Sequence, residues 1–269
     1  METLKVLTEF YSNYDEEGRL LSKHGQVEYL TTMRYIQKYL QPGMRILEVG
    51  AATGRYSHAL AQMGYWVDAV ELVQHNIEIF NQNTQTGENV TIRQGDARDL
   101  SAFADDTYDL TLVLGPMYHL FTAEDQKQAL REAIRVTKPG GVIFAAYCGN
   151  EATMIQYCFG RGMIREQHYR DMIDPVTFKA SSDPAELFEL YRKEDIDALM
   201  ADFPVMRLHY IGTDMATNYM RATVDAMDDE LYGLYLQYHF TICERPDCVG
   251  ASHHMLDIFR KENSLAQWK

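Results

Sequence analysis

The chain has 269 residues, 46% of them hydrophobic and 24% charged, and this composition excludes a disordered, collagen-like or low-complexity protein. Asp and Glu number 39 against 25 Lys and Arg. The resulting net charge of −14 disfavours nucleic-acid and membrane partners, because such a surface repels phosphates. The four cysteines are too few for a disulfide framework, and no signal peptide or membrane span is visible, so we expect a cytoplasmic protein.

The first 44 residues combine an acidic, aromatic start with one amphipathic helix. Phe10, Tyr11 and Tyr14 lie among many acidic residues, a composition that suits a flap over a site as well as a surface tail. From about Gln26 to Leu40, apolar residues recur every three or four positions, which predicts a helix that ends at Pro42-Gly43.

Residues 45–149 alternate short β-rich runs with helical segments, a pattern that predicts βαβ units and a parallel sheet. The five predicted strands are Arg45–Gly50, Tyr65–Leu72, Val90–Gly95, Tyr108–Leu114 and Gly141–Tyr147. Helices are predicted at Gly54–Met63 and at Ala123–Val136, and Thr122 with Asp125 resembles a capping box for the second of them.

Residues 150–204 have a different pattern and are predicted to form a helical lid. This segment shows no clear β run, and Gly and Pro residues interrupt it. A helix is predicted to start at Asp183-Pro184. Its buried face is predicted to consist of Leu187, Leu190, Tyr191 and Leu199.

Residues 205–269 are predicted to complete the sheet. The expected elements are a strand at Val205–Thr213, helices at Asp214–Met227 and Asp229–Glu244, and a closing strand at His254–Arg260. The expected fold class is therefore α/β, with a doubly wound, mostly parallel sheet of seven strands and a helical lid inserted after strand five. We expect residues 1–269 to form a single domain.

The loop after the first strand carries the most chemical information. The apolar strand runs into the small-residue loop Gly50-Ala51-Ala52-Thr53-Gly54, which lets a ligand approach the backbone closely. A dinucleotide-binding fingerprint needs glycine at its first, third and sixth positions, where this chain has Gly50, Ala52 and Arg55. Glu48 would oppose a phosphate but suits an ammonium or sulfonium group. A nicotinamide-dependent oxidoreductase is therefore disfavoured.

These residues resemble the first motif, E/D-x-G-x-G-x-G, of the class I S-adenosylmethionine-dependent methyltransferases. Glu48, Gly50 and Gly54 match that motif, whereas Ala52 replaces its middle glycine. Further stretches that resemble the family's motifs follow in order at predicted strand ends, and they are Val70-Glu71-Leu72, Gly95-Asp96-Ala97, Tyr108-Asp109-Leu110, Leu114-Gly115-Pro116-Met117-Tyr118-His119 and Val136-Thr137-Lys138-Pro139-Gly140-Gly141. The resemblance covers about residues 25–150 and implies a Rossmann-like fold with S-adenosyl-L-methionine as the cofactor.

The resemblance also implies roles for single residues. Glu71 would accept hydrogen bonds from the ribose hydroxyls, Asp96 would hold the adenine amino group, and Ala97 would contact the adenine ring through its backbone. The expected cofactor-binding residues are Glu48, Gly50, Ala51, Ala52, Gly54, Glu71, Leu72, Asp96, Ala97, Leu114 and Gly115.

His119 and Tyr118, just beyond strand four, are the candidate catalytic residues. Methyl transfer from a sulfonium is a one-step displacement that needs alignment and exclusion of water rather than a covalent residue. His119 would serve as a base for a hydroxyl or ammonium acceptor, or would line the pocket and bond the backbone. Tyr118 is a pocket wall or a hydrogen-bond donor. The many tyrosines after residue 150 favour a small acceptor.

No metal site is expected, because Cys243, Cys248 and His253-His254 do not have the spacing of a common zinc module. The sequence therefore favours a methyltransferase that acts on a small-molecule N, O or S acceptor. The alternatives are a methyltransferase acting on RNA or protein, and a protein that binds the cofactor without transferring its methyl group. The identity of the acceptor and the oligomeric state stay open.

Overall fold

A computed structural model of the protein describes residues 2–14 and 16–263, so Met1, Asp15 and residues 264–269 of the expected domain lie outside the described residues. Within the described part of the chain, the strands of one sheet are β1 Arg45–Val49, β2 Trp66–Glu71, β3 Val90–Gln94, β4 Tyr108–Val113, β5 Thr137–Gly149, β6 Leu190–Tyr191, β7 Val205–Gly212 and β8 His254–Lys261. No helix among these residues has the length and apolar character needed to cross a bilayer.

The helices lie between and before these strands. They are α1 Glu2–Asn13, α2 Glu16–Arg19, α3 Lys23–Tyr39, α4 Arg55–Gln62, α5 Gln74–Asn83, α6 Ala123–Val136, α7 Asn150–Thr153, α8 Gln167–Asp171, α9 Lys193–Met200, α10 Arg221–Asp225, α11 Asp229–Ile242 and α12 Pro246–Val249. The predicted cap of α6 is present, since the Thr122 hydroxyl accepts a hydrogen bond from the Asp125 N–H at 3.1 Å.

The sheet has the strand order β3-β2-β1-β4-β5-β8-β7, with β1 to β5 parallel and β8 antiparallel to both of its neighbours. In this register Val49 pairs with Val70 on one side and with Val113 on the other, while Glu71 pairs with Gln94. The carboxyl ends of β1 to β4 therefore meet along one edge, and the motifs that follow these strands converge there.

Helices cover both faces of the sheet, because neighbouring residues of a strand point to opposite sides. Ile46 packs with residues of α3 and α4, whereas the next residue, Leu47, packs with residues of α6 and α9. The largest buried side chains include Tyr108, Phe144 and Phe259. A sheet buried on both faces in this way has the doubly wound architecture expected from the sequence.

The predicted fold class is confirmed, with one additional strand. The short strand β6 pairs in parallel with the end of β5, where Cys148 lies opposite Leu190. Strand β5 also begins earlier than predicted, at Thr137, which pairs with Tyr108 before the register shifts and pairing resumes between Val142 and Leu110. The stretch Lys138–Gly141 is thus an irregularity within the strand.

The prediction of a helix from Asp183-Pro184 with a buried face through Leu199 is wrong. A single 3₁₀ turn at Pro184–Glu186 is followed by β6, and the helix α9 begins only at Lys193. Leu187 lies between that turn and the strand, Leu190 and Tyr191 form the strand itself, and only Leu199 is helical. The segment is extended because it pairs with the end of β5. The Tyr191 hydroxyl also donates to the Met117 carbonyl at 2.7 Å, which connects the lid to the turn after β4.

The predicted helix Asp214–Met227 is also wrong as a single element. It is a 3₁₀ turn at Met215–Tyr219 followed by the short helix α10. Asp214 does not cap a helix, because its carboxylate accepts hydrogen bonds from the backbone N–H groups of His253 and His254. These bonds join the segment after β7 to the start of β8.

The N-terminal segment, for which the sequence left a flap or a surface tail open, forms the helix α1. This helix contacts α5 on the cofactor-motif side of the sheet and the turn Pro184–Glu186 on the lid side. Leu7 is a buried residue of this helix, with 5% of its surface exposed. Helix α1 therefore connects the two parts of the molecule that border the site described next.

Candidate functional site

A first cavity of about 490 Å³ lies at the carboxyl edge of the sheet, where the predicted motifs converge. Every predicted cofactor-binding and catalytic residue except Gly54 lines it, namely Glu48, Gly50, Ala51, Ala52, Glu71, Leu72, Asp96, Ala97, Leu114, Gly115, Tyr118 and His119. Residues from α1 also line this cavity, among them Leu4, Leu7 and Tyr11.

The loop after β1 has the backbone geometry that its small residues allow. Gly50 has a φ of +76°, and a Cβ there would lie 2.6 Å from the Pro116 ring. Ala52 also has a positive φ, +47°, which an L residue adopts only at a cost. Gly54 immediately precedes α4 and has a φ of +94°, and a Cβ there would lie 2.6 Å from the rings of His58 and Phe80. Gly54 therefore packs against the helix side of the loop.

Glu48 is a buried carboxyl group at this edge, with 1% of its surface exposed. Burial raises its pKa to about 8, although a hydrogen bond from the Ser57 hydroxyl lowers it and the nearby Glu71 charge raises it further. The group is therefore largely protonated at neutral pH. A cationic ligand group beside it would favour the ionised form.

Glu71 organises the loop with both of its carboxylate oxygens. One oxygen accepts from the Ala52 N–H at 2.9 Å, and the other accepts from the Val73 N–H at 2.9 Å and from the Asn76 amide at 3.3 Å. The amide oxygen of Asn76 is buried and has no hydrogen-bond partner among the described residues. Since Asn76 lines the first cavity, this oxygen is an acceptor available to a ligand hydroxyl or amine.

Asp96 is paired with Arg98, a cavity-lining residue that the sequence analysis did not identify. The Arg98 side chain donates to Asp96 at 2.6 and 3.0 Å and also reaches Asp125 at 3.0 Å. Burial raises the pKa of Asp96, but the hydrogen bonds and charge of Arg98 outweigh it, so the pKa lies below its usual value. Asp96 is thus an ionised hydrogen-bond acceptor held in a fixed position. The only sequence signal for Arg98 is its spacing of two residues from Asp96.

The two candidate catalytic residues are both held by hydrogen bonds. His119 Nδ1 donates to the Leu187 carbonyl at 2.8 Å, so its Nε2 is left to accept from the Tyr11 hydroxyl at 2.8 Å. Burial lowers the pKa of His119 to about 4, although the bond to Leu187 opposes this shift. The ring is therefore neutral at physiological pH. The Tyr118 hydroxyl donates to the Leu114 carbonyl at 3.0 Å.

A second cavity of about 410 Å³ adjoins the first, and Tyr11, Arg19 and Tyr118 line both. One part of its wall is aromatic, with Phe10, Tyr14, Tyr157, Tyr169 and Phe188. Another part is charged or polar, with Glu28, Asp214, Arg221, His253 and His254. Of the tyrosines after residue 150, Tyr157 and Tyr169 line the cavity. Glu28 and Asp214 lie outside the motif-bearing strands, so the sequence motifs do not identify them as site residues.

Comparisons with known proteins agree with this fold. Residues 46–141 match the family model described as "Methyltransferase domain". The chain is 31% identical over 128 residues to a ubiquinone biosynthesis O-methyltransferase of Methylocella silvestris, a match that covers 47% of this chain and 48% of the relative. It is 29% identical over 195 residues to a demethylmenaquinone methyltransferase of Clavibacter sepedonicus, covering 72% of this chain and 74% of the relative.

A solved structure shares the fold at low sequence identity. It is Haemonchus contortus phosphoethanolamine N-methyltransferase 1 in complex with phosphoethanolamine and S-adenosylhomocysteine. The match covers 100% of this chain and 50% of that chain, with a TM-score of 0.61 and 14% identity. Residues 46–141 are thus a methyltransferase domain, and the fold is that of the class I S-adenosylmethionine-dependent methyltransferases. The resemblance found in the sequence is confirmed for these residues.

Proposed function

We propose that this protein transfers the methyl group of S-adenosylmethionine to a small-molecule N, O or S acceptor that binds in the second cavity. The observation that carries the proposal is that the two cavities adjoin at Tyr11, Arg19 and Tyr118. A one-step displacement requires the donor methyl and the acceptor atom to be aligned in a space closed to water, and two adjoining cavities provide such an arrangement.

The first cavity has polar groups that match the cofactor. Glu71 and the unpaired amide oxygen of Asn76 would accept hydrogen bonds from the ribose hydroxyls, and Asp96 would accept from the adenine amino group. Glu48 would ionise beside a cationic group of the methionine part. When bound, S-adenosylmethionine supplies an electrophilic methyl group on its sulfonium sulfur, and these side chains orient it.

The second cavity supports a small acceptor with an apolar or aromatic body and a polar group. Its volume of about 410 Å³ lies in the range of small-molecule sites, and its aromatic wall suits a planar body. The names of the two relatives above refer to small molecules, ubiquinone and demethylmenaquinone. The four cysteines are free thiols, which suits the cytoplasm as the place of action.

We assign His119 a positioning role at the junction of the cavities. Its Nε2 lone pair is occupied by the Tyr11 hydroxyl, so the ring orients Tyr11 rather than meeting an acceptor proton directly. Tyr118 contributes its ring to both cavities while its hydroxyl is bound to Leu114. The residues at this junction would thus promote the reaction by aligning the acceptor with the methyl group and by excluding water, rather than by acting as a strong base.

The first experiment is calorimetric titration with S-adenosylhomocysteine, with NADH as the control ligand. We expect S-adenosylhomocysteine alone to bind, and Asp96→Asn to weaken binding about tenfold by replacing an ionised acceptor. The matched control is Asp99→Asn, because Asp99 is exposed, lies three residues further along and does not line the cavity. Absence of binding would overturn the proposal.

A second assay measures methyl transfer from labelled S-adenosylmethionine to a panel of small hydroxyl, amine and thiol acceptors. Transfer to a member of this panel is the expected result. Binding of the cofactor without any transfer would instead favour a protein that uses the cofactor without passing on its methyl group.

A further inference from the structure

One wall of the second cavity brings two histidines and a carboxylate together. Asp214 follows β7, and His253 and His254 stand at the start of β8, so the pairing of these two strands places them side by side. His254 Nδ1 lies 2.9 Å from Asp214 Oδ2 and 3.4 Å from His253 Nδ1. His253 Nδ1 lies 3.8 Å from Asp214 Oδ2.

We infer that Asp214, His253 and His254 form a binding site for a divalent transition-metal ion of the Zn²⁺ type. Zinc is held tetrahedrally at about 2.0–2.2 Å by imidazole nitrogen and carboxylate oxygen, which places neighbouring ligand atoms about 3.3–3.5 Å apart. The three separations in the structure, 2.9 to 3.8 Å, bracket this value. Small side-chain adjustments therefore bring all three atoms to bonding distance of one ion.

The hydrogen-bond inventory of the cluster also favours a cation. His254 Nδ1 carries at most one proton, yet it faces Asp214 Oδ2 at 2.9 Å, Glu28 Oε2 at 3.2 Å and His253 Nδ1 at 3.4 Å. One N–H group cannot serve two carboxylates and a second imidazole. A metal ion at the centre interacts favourably with all of them, and the two carboxylates of Asp214 and Glu28 favour a dication at this position.

The ligands are held in place by their outer partners. Asp214 Oδ1 accepts from the Ser252 hydroxyl at 2.7 Å and from the backbone N–H groups of His253 and His254 at 2.9 and 3.1 Å, which leaves Oδ2 for the ion. Such outer-shell support is typical of metal ligands.

Glu28 is the candidate fourth ligand. Its Oε2 lies 3.2 Å from His254 Nδ1 and also accepts from Arg19 Nη1 at 2.7 Å. Arg19 lines both cavities, so the metal site is linked through Glu28 to their junction. This inference departs from the sequence-based expectation of no metal, which considered the histidines with Cys243 and Cys248. In the structure Cys243 instead contacts the Tyr35 hydroxyl at 3.6 Å.

The test is titration of the EDTA-treated full chain with Zn²⁺ and with Co²⁺. We expect one ion per chain, and a visible absorption band of four-coordinate cobalt. His253→Gln should weaken Zn²⁺ binding at least tenfold and abolish that band, while leaving the backbone bonds to Asp214 intact. His168→Gln is the matched control, because His168 is an exposed histidine that also pairs with a glutamate, Glu186, at 2.8 Å.

Two results would overturn the metal site, namely no stoichiometric Zn²⁺ binding by the full chain, or equal binding by the His253→Gln variant. Far-ultraviolet circular dichroism of the His253→Gln variant in EDTA serves as the control for folding, and we expect the same spectrum as for the unchanged chain. Titration of the same samples with S-adenosylhomocysteine separates this inference from the proposed function, because the cofactor residues lie in the first cavity. If the His253→Gln variant loses Zn²⁺ binding but binds S-adenosylhomocysteine as before, the substitution affects the metal site and not the cofactor site.

Discussion

At the scale of single residues, the buried carboxyl group of Glu48 controls a dependence of stability on pH. Its pKa is about 8 in the folded protein, mainly because of burial, and about 4.3 in an unfolded chain. A raised folded pKa means that the folded state holds the proton more tightly. The stabilisation from this proton is complete below about pH 4.3 and is lost as the pH rises through 8.

We therefore expect Glu48→Gln to remove this part of the pH dependence. The free energy of unfolding of the variant, relative to that of the wild type, should increase between about pH 5 and pH 8, because the neutral amide has no proton to lose. Urea unfolding of both proteins at several pH values measures this difference. Asp99→Asn, on an exposed neighbour of the site, is the control. A constant difference across the pH range would contradict the burial argument.

Residue-scale prediction from the sequence works where a residue belongs to an ordered motif. Glu71 and Asp96 stand at strand ends, and the parallel register brings them to one cavity. Asn76 and Arg98 line the same cavity but have no motif of their own, since their positions depend on how α5 and the loop after β3 fold back. For Ala52, the sequence shows only that alanine replaces a glycine of the motif. The structure shows that this alanine has a positive φ of +47°, a conformation that is unfavourable for an L residue.

At the scale of elements, the strands were predictable and the lid was not. Strands β1 to β5 have five or more residues each and all contain Val with Ile, Leu or aromatic residues, so their composition is distinctive. Strand β6 has only two residues, and it is extended because it pairs with β5 and because Tyr191 bonds to the turn after β4. Contacts between segments distant in sequence decide such an element, so local pattern does not reveal it.

Helix α1 provides a prediction at this scale, because it borders both cavities. Deleting residues 1–14 removes Leu7 and Tyr11 from the wall of the first cavity, and we expect affinity for S-adenosylhomocysteine to fall about tenfold or more. Calorimetry measures this loss. The unfolding transition of the sheet and its covering helices should stay the same. The reason is that the main contacts of α1 are with α5 and the turn Pro184–Glu186, and not with the strands.

The control for this deletion is Lys5→Ala, since Lys5 is an exposed residue of the same helix that lines neither cavity. Its cofactor affinity should equal that of the full chain. Unchanged affinity after the deletion would show that α1 does not contribute to the site.

At the scale of the whole molecule, the net charge of −14 argues against RNA as the acceptor. RNA binding depends on neutralising phosphates with Lys and Arg and weakens steeply with salt. We expect no retention of labelled RNA by the protein even at about 50 mM salt, as measured by filter binding. A basic RNA-binding protein is the positive control. Salt-sensitive retention would return RNA to the candidate acceptors.

The position of β8 has a consequence for how the protein is made. This strand is the last along the described chain, yet it lies between β5 and β7 inside the sheet. A growing chain on the ribosome exposes the edges of β5 and β7 until residues 254–261 emerge, and unpaired edges invite aggregation. The same late residues bring His253 and His254 to the second cavity. The motif-bearing strands β1 to β5 can pair during synthesis, whereas the opposite wall of the site is completed only after His254–Lys261 has been translated.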